Sequence, residues 1–458
     1  MVLSKFLLRS AMTGALGGLL FGFDTAVIAG ATYALTDHFL LTPLQIGITV
    51  SIALWGTVLG ASCAGAIGQR IGSRATLRVM AVLYVLSALG CASAWSWPIF
   101  LISRFLGGLG IGGSSVLGPV YIAELAPPKY RGRLVGLFQI NIVIGILLAY
   151  LSNFWIASLH LGAWEWRWEF GVSTVPAVLF LVMLLSTPHS PRWLVTQGKL
   201  KEAGETLLLI GAPEPEVELK AIVASLHLDE ASRKESLFRW RYRLPILLAV
   251  SIAMFNQLSG INAVLYYMND IFVSAGFSRL SGGLQAVIVG AVNLLATLLA
   301  MTVIDRLGRR TLLLIGCAGM TVGLCGVAII LATGRWHSAL IFFVMGFTAS
   351  FAFSSGSVVW VYLSEIFPTR VRMKGQALGS TVIWIINGVI SLVFPLLAEK
   401  SASLPFLFFA LAMAVQFFMT LFFFPETKGL SLEKLEQKLR LNEPDRAEDV
   451  TAQVGLYR

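Results

Sequence analysis

Asp24 stands in the run Phe21-Gly22-Phe23-Asp24-Thr25-Ala26-Val27-Ile28-Ala29-Gly30, inside the first long apolar stretch of the chain. A charge left at the centre of a bilayer costs at least about 2.5–3.5 kcal/mol, so an ionisable group kept there points to function. A second such charge, Arg104, stands in the fourth apolar stretch. Burial favours the protonated form of a carboxyl group, and a nearby guanidinium favours the ionised form. Helix motion that brings Arg104 to Asp24 and takes it away would therefore load and unload a proton. If the first span enters near Ser10, Asp24 lies about 21 Å into a core of about 30 Å. Arg104, counted from Trp97 on the opposite boundary, lies about 10 Å below that surface. The two charges share a depth, and the sequence predicts that they pair.

The elements that hold these residues are set by composition. Of 458 residues, 57% are hydrophobic and 13% charged, where a soluble domain carries about 25% charged residues. Mean hydropathy is +0.80. About twelve runs are long enough to span, each needing roughly 20 residues. They fall near 10–30, 44–67, 76–94, 97–124, 134–157 and 170–187, then 245–273, 283–304, 311–332, 338–365, 375–398 and 404–424. The expected fold is an all-α membrane protein of twelve transmembrane helices. Residues 1–187 and 244–424 form two six-helix bundles, 188–243 a cytoplasmic linker with short helices, and 425–458 a cytoplasmic tail.

Lysines and arginines cluster in alternate loops: Lys5 and Arg9, then Arg70, Arg74 and Arg78, then Lys129, Arg131 and Arg133, and so on to the tail. The other set of loops holds only Arg167, Arg279, Arg335 and Lys400. The positive-inside rule then places both termini and the linker in the cytoplasm, as in a multi-pass protein of a bacterial-type inner membrane. Charges that track alternate loops do not form the single patch a nucleic acid needs. Cys63, Cys91, Cys317 and Cys325 lie in apolar runs without metal-ligand spacing, so they read as small hydrophobes facing lipid or helices, and no metal or cofactor is expected. No nucleophile–base pair or phosphate-binding loop suggests an enzyme.

The two halves repeat. Gln69-Arg70-Ile71-Gly72-Ser73-Arg74 matches Asp305-Arg306-Leu307-Gly308-Arg309-Arg310. Glu124-Leu125-Ala126-Pro127 with Arg131 matches Glu365-Ile366-Phe367-Pro368 with Arg372. Pro188-His189-Ser190-Pro191 matches Pro425-Glu426-Thr427-Lys428. Three pairs in one order at nearly one offset mark a parallel duplication, the arrangement of transporters whose halves rock about a site at the midplane. Carboxylates beside arginines at helix ends make charge-assisted bonds. Arg70, Arg74, Glu124, Arg131, Asp305, Arg306, Arg309, Arg310, Glu365 and Arg372 are therefore expected to latch the cytoplasmic side shut. Glu124/Arg131 and Glu365/Arg372 are the pairs whose spacing the repeat fixes. Asp305→Ala should shift the population toward an inward-open state, read by cysteine accessibility on the two faces.

Together these motifs resemble the sugar porters of the major facilitator superfamily. The resemblance covers nearly the whole chain. It rests on GFDTAVIAG (22–30), AELAPPKYRGRL (123–134), SPRWL (190–194), NQLSGINAVLYY (256–267), DRLGRR (305–310), SEIFPTRVR (364–372) and PETKGLSLE (425–433). It implies a major facilitator fold, alternating access and a monosaccharide substrate. Gln69 departs from the family's usual Asp, which weakens the expected latch of the first half.

A sugar offers hydroxyls around apolar C–H faces, so its site needs neutral amides and aromatic rings. The seventh span carries Asn256, Gln257 and Asn262, then Tyr266 and Tyr267. Gln257 and Asn262 are five apart, a spacing that a regular helix does not align; Gly260 between them offers a break. The other candidates are Gln139, Asn293, Trp360, Trp384 and Asn387. The resemblance implies that Gln139, Gln257, Asn262, Asn293 and Trp360 bond the sugar hydroxyls or stack on the ring. Asn256, Ile146, Ile383 and Gly356-Ser357 depart from the usual family residues and leave the sugar's identity open.

The resemblance also implies coupling, because proton symporters of the family carry Asp at position 24 and several uniporters carry an amide. The expected function is import of a hexose or pentose with a proton, by a chain acting as a monomer. The alternatives are a facilitative uniporter and a non-transporting sugar sensor on the same fold. The amides lie mostly in the second half and the charge pair in the first. Coupling is thus expected to run through helix motion rather than through direct contact.

Overall fold

The computed structural model describes residues 4–127, 130–212, 214–232, 236–368 and 371–428. The side chains of 225–232 and of Asp305 lie outside the described residues, and with them the expectation placed on Asp305. In chain order the helices are α1 (Lys5–Phe39), α2 (Pro43–Ile71), α3 (Ser73–Ala92), α4 (Trp97–Leu125), α5 (Arg131–Ser158), α6 (Glu165–Val172), α7 (Thr174–Leu185), α8 (Pro191–Thr196), α9 (Leu200–Ile210) and α10 (Pro215–Ser232). The second half continues with α11 (Arg243–Leu258), α12 (Ile261–Tyr266), α13 (Met268–Ser274), α14 (Arg279–Leu307), α15 (Arg309–Thr333), α16 (Leu340–Phe353), α17 (Ser355–Glu365), α18 (Arg372–Lys400) and α19 (Leu404–Phe423). No strand occurs among the described residues.

Among the described residues, twelve helical segments are long and apolar enough to cross a membrane. Helices suit that setting because every interior backbone group is satisfied within the segment. Three spans are broken: the sixth between α6 and α7, the seventh between α11 and α12, and the tenth between α16 and α17. Helix starts follow local chemistry. Thr42 and Gln45 form a capping box ahead of Pro43 at the first turn of α2, satisfying amides that the helix leaves open.

Small residues let the spans approach. On α2 and α4, Gly56 and Gly60 face Gly108 and Gly112; a Cβ on Gly108 would lie 2.0 Å from the Ala53 carbonyl oxygen. Such small-xxx-small stripes replace the hydrophobic drive that lipid cannot supply between helices. Exposed Leu86, Val175, Leu179, Leu411, Phe418 and Phe422 suit a surface that faces acyl chains.

The loops joining α2 to α3, α4 to α5, α14 to α15 and α17 to α18 lie on one side of the bundle, here termed the basic face. The opposite side is the far face. The buried apolar residues show how the halves meet. One cluster unites both halves toward the far face, running from Val27, Leu35, Phe100 and Tyr150 to Tyr266, Phe272, Trp384 and Phe394. Toward the basic face the core divides. One cluster (Leu7, Leu77, Tyr121, Leu134, Phe180) belongs to the first half, and another (Tyr242, Leu312, Val358, Tyr362, Phe424) to the second. The core is continuous between the halves at the far face and divided at the basic face, where α5 and α14 still meet at Gly136 and Met301.

Candidate functional site

The charge pair forms. Arg104 Nη1 donates to Asp24 Oδ1 at 2.7 Å, with Arg104 3% and Asp24 15% exposed. The helices α1 and α4 bring the two to one depth. The guanidinium also lies 5.6 Å from the centroid of the Phe170 ring. What Asp24 shows to solvent opens on a small cavity lined by Phe21, Thr25, Thr57, Arg104, Tyr266 and Trp384, among others. Tyr266 and Trp384 belong to the second half. The sequence expectation set the charge pair apart from the substrate residues; the structure puts Asp24 on the same cavity as two of them. The reason is the closed far face, which sets α12 against α1 and α18 against α2, with the Trp384 ring reaching Phe21.

The seventh span breaks at Gly260, where φ is +78°, a conformation that suits glycine. A Cβ there would lie 2.2 Å from the Phe409 ring. The break lets Asn262 Nδ2 donate to Gln257 Oε1 at 2.8 Å, across the five-residue separation. Gln257 Nε2 in turn donates to Asn256 Oδ1 at 2.8 Å, and Asn256 Nδ2 to the Ser355 carbonyl at 3.2 Å, where the tenth span is also broken. Three amides thus form one chain ending on the α16–α17 junction. Asn387 Nδ2 donates to the Tyr266 hydroxyl at 3.2 Å. Trp384 packs on Phe21 across the halves, with ring centroids 5.5 Å apart.

The other candidates stand apart from these contacts. Gln139 on α5 is half-buried and Asn293 on α14 buried; neither amide is bonded to another described residue. Trp360 on α17 is 44% exposed, on the side where the core divides. Phe21 and Ser391 escaped the sequence reading. Ser391 Oγ donates to Asn387 Oδ1 at 3.3 Å, and its carbonyl accepts from Tyr267. Phe21 is three residues before Asp24, so helical spacing alone places it on the same face.

The latch residues assemble within each half. Arg309 Nη2 meets Glu365 Oε1 at 3.0 Å, and Thr427 Oγ1 donates to Glu365 Oε2 at 2.6 Å. The expected partner, Arg372, instead sends Nε to the Phe367 carbonyl at 3.4 Å. Glu124 accepts from Ser73 Oγ at 3.3 Å, while Arg131 reaches the Ala126 carbonyl at 3.5 Å. The correction has a simple cause: Arg131 and Arg372 open the next helices and turn back onto their own loops. Arg309 and Ser73 occupy equivalent places in the repeat. Both groups are made within a half.

The remaining latch arginines follow the repeat. Arg74 donates to the Leu185 carbonyl and Arg310 to the Thr420 carbonyl, at the ends of the sixth and twelfth spans. A cation at a helix C-terminus suits the dipole there. The Tyr121 hydroxyl donates to the Pro188 carbonyl, and Tyr362 to Pro425, in matching positions. Gly72 and Gly308 both take φ near +90° (89° and 90°) to turn one span into the next. Arg70 and Arg306 are exposed. Glu426 accepts from the backbone N–H of Arg309 at 2.9 Å and of Arg310 at 3.1 Å. Burial pushes its carboxyl up, but four backbone donors outweigh that and hold it below the usual range. His189, its counterpart, stacks on Trp193 at 5.0 Å. Burial, then Arg74 and Arg78, keep its imidazole below the ordinary value.

Residues 10–439 match the family described as "Sugar (and other) transporter". The chain is 34% identical to the D-xylose-proton symporter of Escherichia coli (strain K12), over 94% of this chain and 96% of that one. It is 34% identical to the arabinose-proton symporter of Bacillus subtilis (strain 168), covering 94% and 95%. It is 37% identical to the glucose transport protein of Synechocystis, covering 94% and 97%. Among solved structures, the inward open conformation of the xylose transporter XylE from E. coli superposes with a TM-score of 0.84 at 32% identity, covering 94% of this chain and all of that one. The same transporter bound to 6-bromo-6-deoxy-D-glucose gives 0.77 at 33% identity, covering 95% and 99%.

Proposed function

The chain belongs to the sugar transporter family of the major facilitator superfamily, and from that premise we propose that it imports a monosaccharide together with a proton by alternating access. The observation that carries this reading is the Asp24–Arg104 pair opening on one cavity with Tyr266 and Trp384. A carboxylate there senses both the proton and the approach of the second half. Relatives named for xylose, arabinose and glucose support a pentose or hexose as the substrate.

In this reading Gln139, Asn293 and Trp360 offer uncommitted groups to the sugar from the side where the core divides. Sugar displaces part of the Asn256–Gln257–Asn262 chain, whose amides exchange one set of hydrogen bonds for another. Loss of that chain frees the Ser355 carbonyl at the tenth-span break, so substrate binding and bending of that span are linked. When the halves rock and the far face opens, α12 moves away from α1 and α18 from α2, and Asp24 meets water and protons. Arg104 competes with the proton for the carboxylate. The Glu365 and Glu124 groups keep each half rigid as it moves.

In this reading the basic face and both termini lie in the cytoplasm of a bacterial-type inner membrane, which the positive loops support, and the chain works as a monomer. The test is accumulation of labelled sugar in proteoliposomes with and without an imposed pH gradient. Accumulation only with the gradient is the expected result. Saturable uptake that never exceeds equilibrium means uniport, and no uptake of any sugar in a panel means a sensor.

A further inference from the structure

A second carboxyl group is buried at the far face, away from Asp24. Glu169 on α6 is 1% exposed, and its Oε2 has no hydrogen-bond partner among the described residues. Beside it on α5, Asn153 is 3% exposed. Asn153 Nδ2 donates to the Val27 carbonyl at 3.0 Å, which fixes the amide's orientation. Its Oδ1 is then left without a donor among the described residues. Both side chains crowd Gly30 on α1: a Cβ there would lie 2.5 Å from Glu169 Oε1 and 2.6 Å from Asn153 Nδ2. The absence of that Cβ is what admits them.

The two groups line a cavity between the halves, with Thr32 and Tyr33 of α1, Asn269 and Asp270 of α13, and Arg279 of α14. Its ionisable members are Glu165, one turn back on α6, Tyr33, Asp270 and Arg279; α5 contributes none. Asp270 Oδ1 accepts from Thr32 Oγ1 at 3.0 Å, across the halves. Arg279 is occupied by the Tyr33 ring, 3.2 Å from its centroid. Three carboxyl groups therefore share one cation, which also lies over the Tyr33 ring. A buried charge needs a partner and hydrogen bonds to be tolerated; among the described residues Glu169 makes no salt bridge, and its Oε2 no hydrogen bond. A neutral acid removes the charge, and its O–H supplies the donor that Asn153 Oδ1 lacks.

We propose that Glu169 is a second proton-binding site, holding its proton against Asn153 while the far face is closed. When the far face opens, Asp270 and Arg279 leave with the second half, water enters, and the acid ionises. Alkaline conditions on that side then favour the open far face. The site needs no sugar to be observed and does not depend on the transport reading.

The experiment is infrared spectroscopy of the purified full chain at neutral pH. The carbonyl band of a protonated carboxylic acid is expected in the native chain and in Asp24→Asn, and is lost in Glu169→Gln. Asn153→Ala, which keeps the acid but removes its acceptor, is expected to shift the same band. It thus tests the site even if Glu169→Gln does not fold. A spectrum in which Glu169→Gln removes only carboxylate bands, or in which Asn153→Ala leaves the acid band unmoved, overturns the proposal. In transport, sugar exchange by Asp24→Asn is expected to keep a pH dependence that Asp24→Asn/Glu169→Gln loses. Failure of all sugar exchange alongside a retained infrared band would overturn the transport reading and leave this site standing.

Discussion

Asp24 on α1 pairs with Arg104 on α4 at 2.7 Å, and its remaining exposed surface faces Trp384 and Tyr266 of the other half. The pair is therefore neither a surface ion pair nor a sealed one. Asp24→Asn keeps the shape and a hydrogen-bond acceptor for Arg104 but has no group that takes up and releases a proton. Sugar accumulation driven by a pH gradient should fall to the equilibrium ratio, while exchange of sugar across the membrane persists. Labelled-sugar uptake and exchange in proteoliposomes measure both.

The two candidate tryptophans should separate cleanly. Trp360 is 44% exposed and Trp384 5% exposed against Phe21. Trp360→Ala should raise KM by about tenfold, the equivalent of about 1.4 kcal/mol, with little change in thermal midpoint. Trp384→Ala leaves a cavity at the junction of the halves and should cost about 3–5 kcal/mol, seen as a lower midpoint. Equal effects on both measurements would contradict this division.

Gly260→Ala tests the break in the seventh span. The new Cβ meets both a φ of +78° and the Phe409 ring. Strain of this kind costs about 1–3 kcal/mol. It should part Gln257 from Asn262, so both stability and sugar affinity are expected to drop. A thermal melt and a KM measurement on one preparation decide it.

The Glu426 cap on α15 should depend on pH. Its carboxyl lies below the usual range because backbone N–H groups favour the ionised form over the cost of burial. A lowered value means that the contact is complete above the ordinary carboxylate range, about pH 4.3, and is lost as pH falls through the lowered value. Hydrogen exchange at the Arg309 and Arg310 amides should accelerate on acidification below that range. Glu426→Gln should remove the acid dependence.

The repeat suggests a gain as well. His189 holds the place in the first half that Glu426 holds in the second, and no side chain caps the start of α3. His189→Glu should give Ser73 and Arg74 the carboxylate that Arg309 and Arg310 have. A negative group at a helix N-terminus contributes about 0.3–1 kcal/mol, which a raised thermal midpoint would register.

The sequence by itself determined the twelve spans, the duplication, the family and the pairing of Asp24 with Arg104. These rest on hydropathy, charge placement and rise per residue, which are local or one-dimensional quantities. The break at Gly260 was legible for the same reason, since a five-residue spacing between amides conflicts with a helix. Tertiary structure alone decided three things. Glu365 takes Arg309 rather than Arg372, because the rotation of α15 and the turn into α18 set which arginine is within reach. Asp24 shares its cavity with Trp384, because the core is continuous between the halves at the far face and divided at the basic face. Glu169, outside the runs read as spans, is buried because α6 lays it against Gly30 and Asn153. Each depends on helix rotation and on the angle between the halves, neither of which residue order encodes locally.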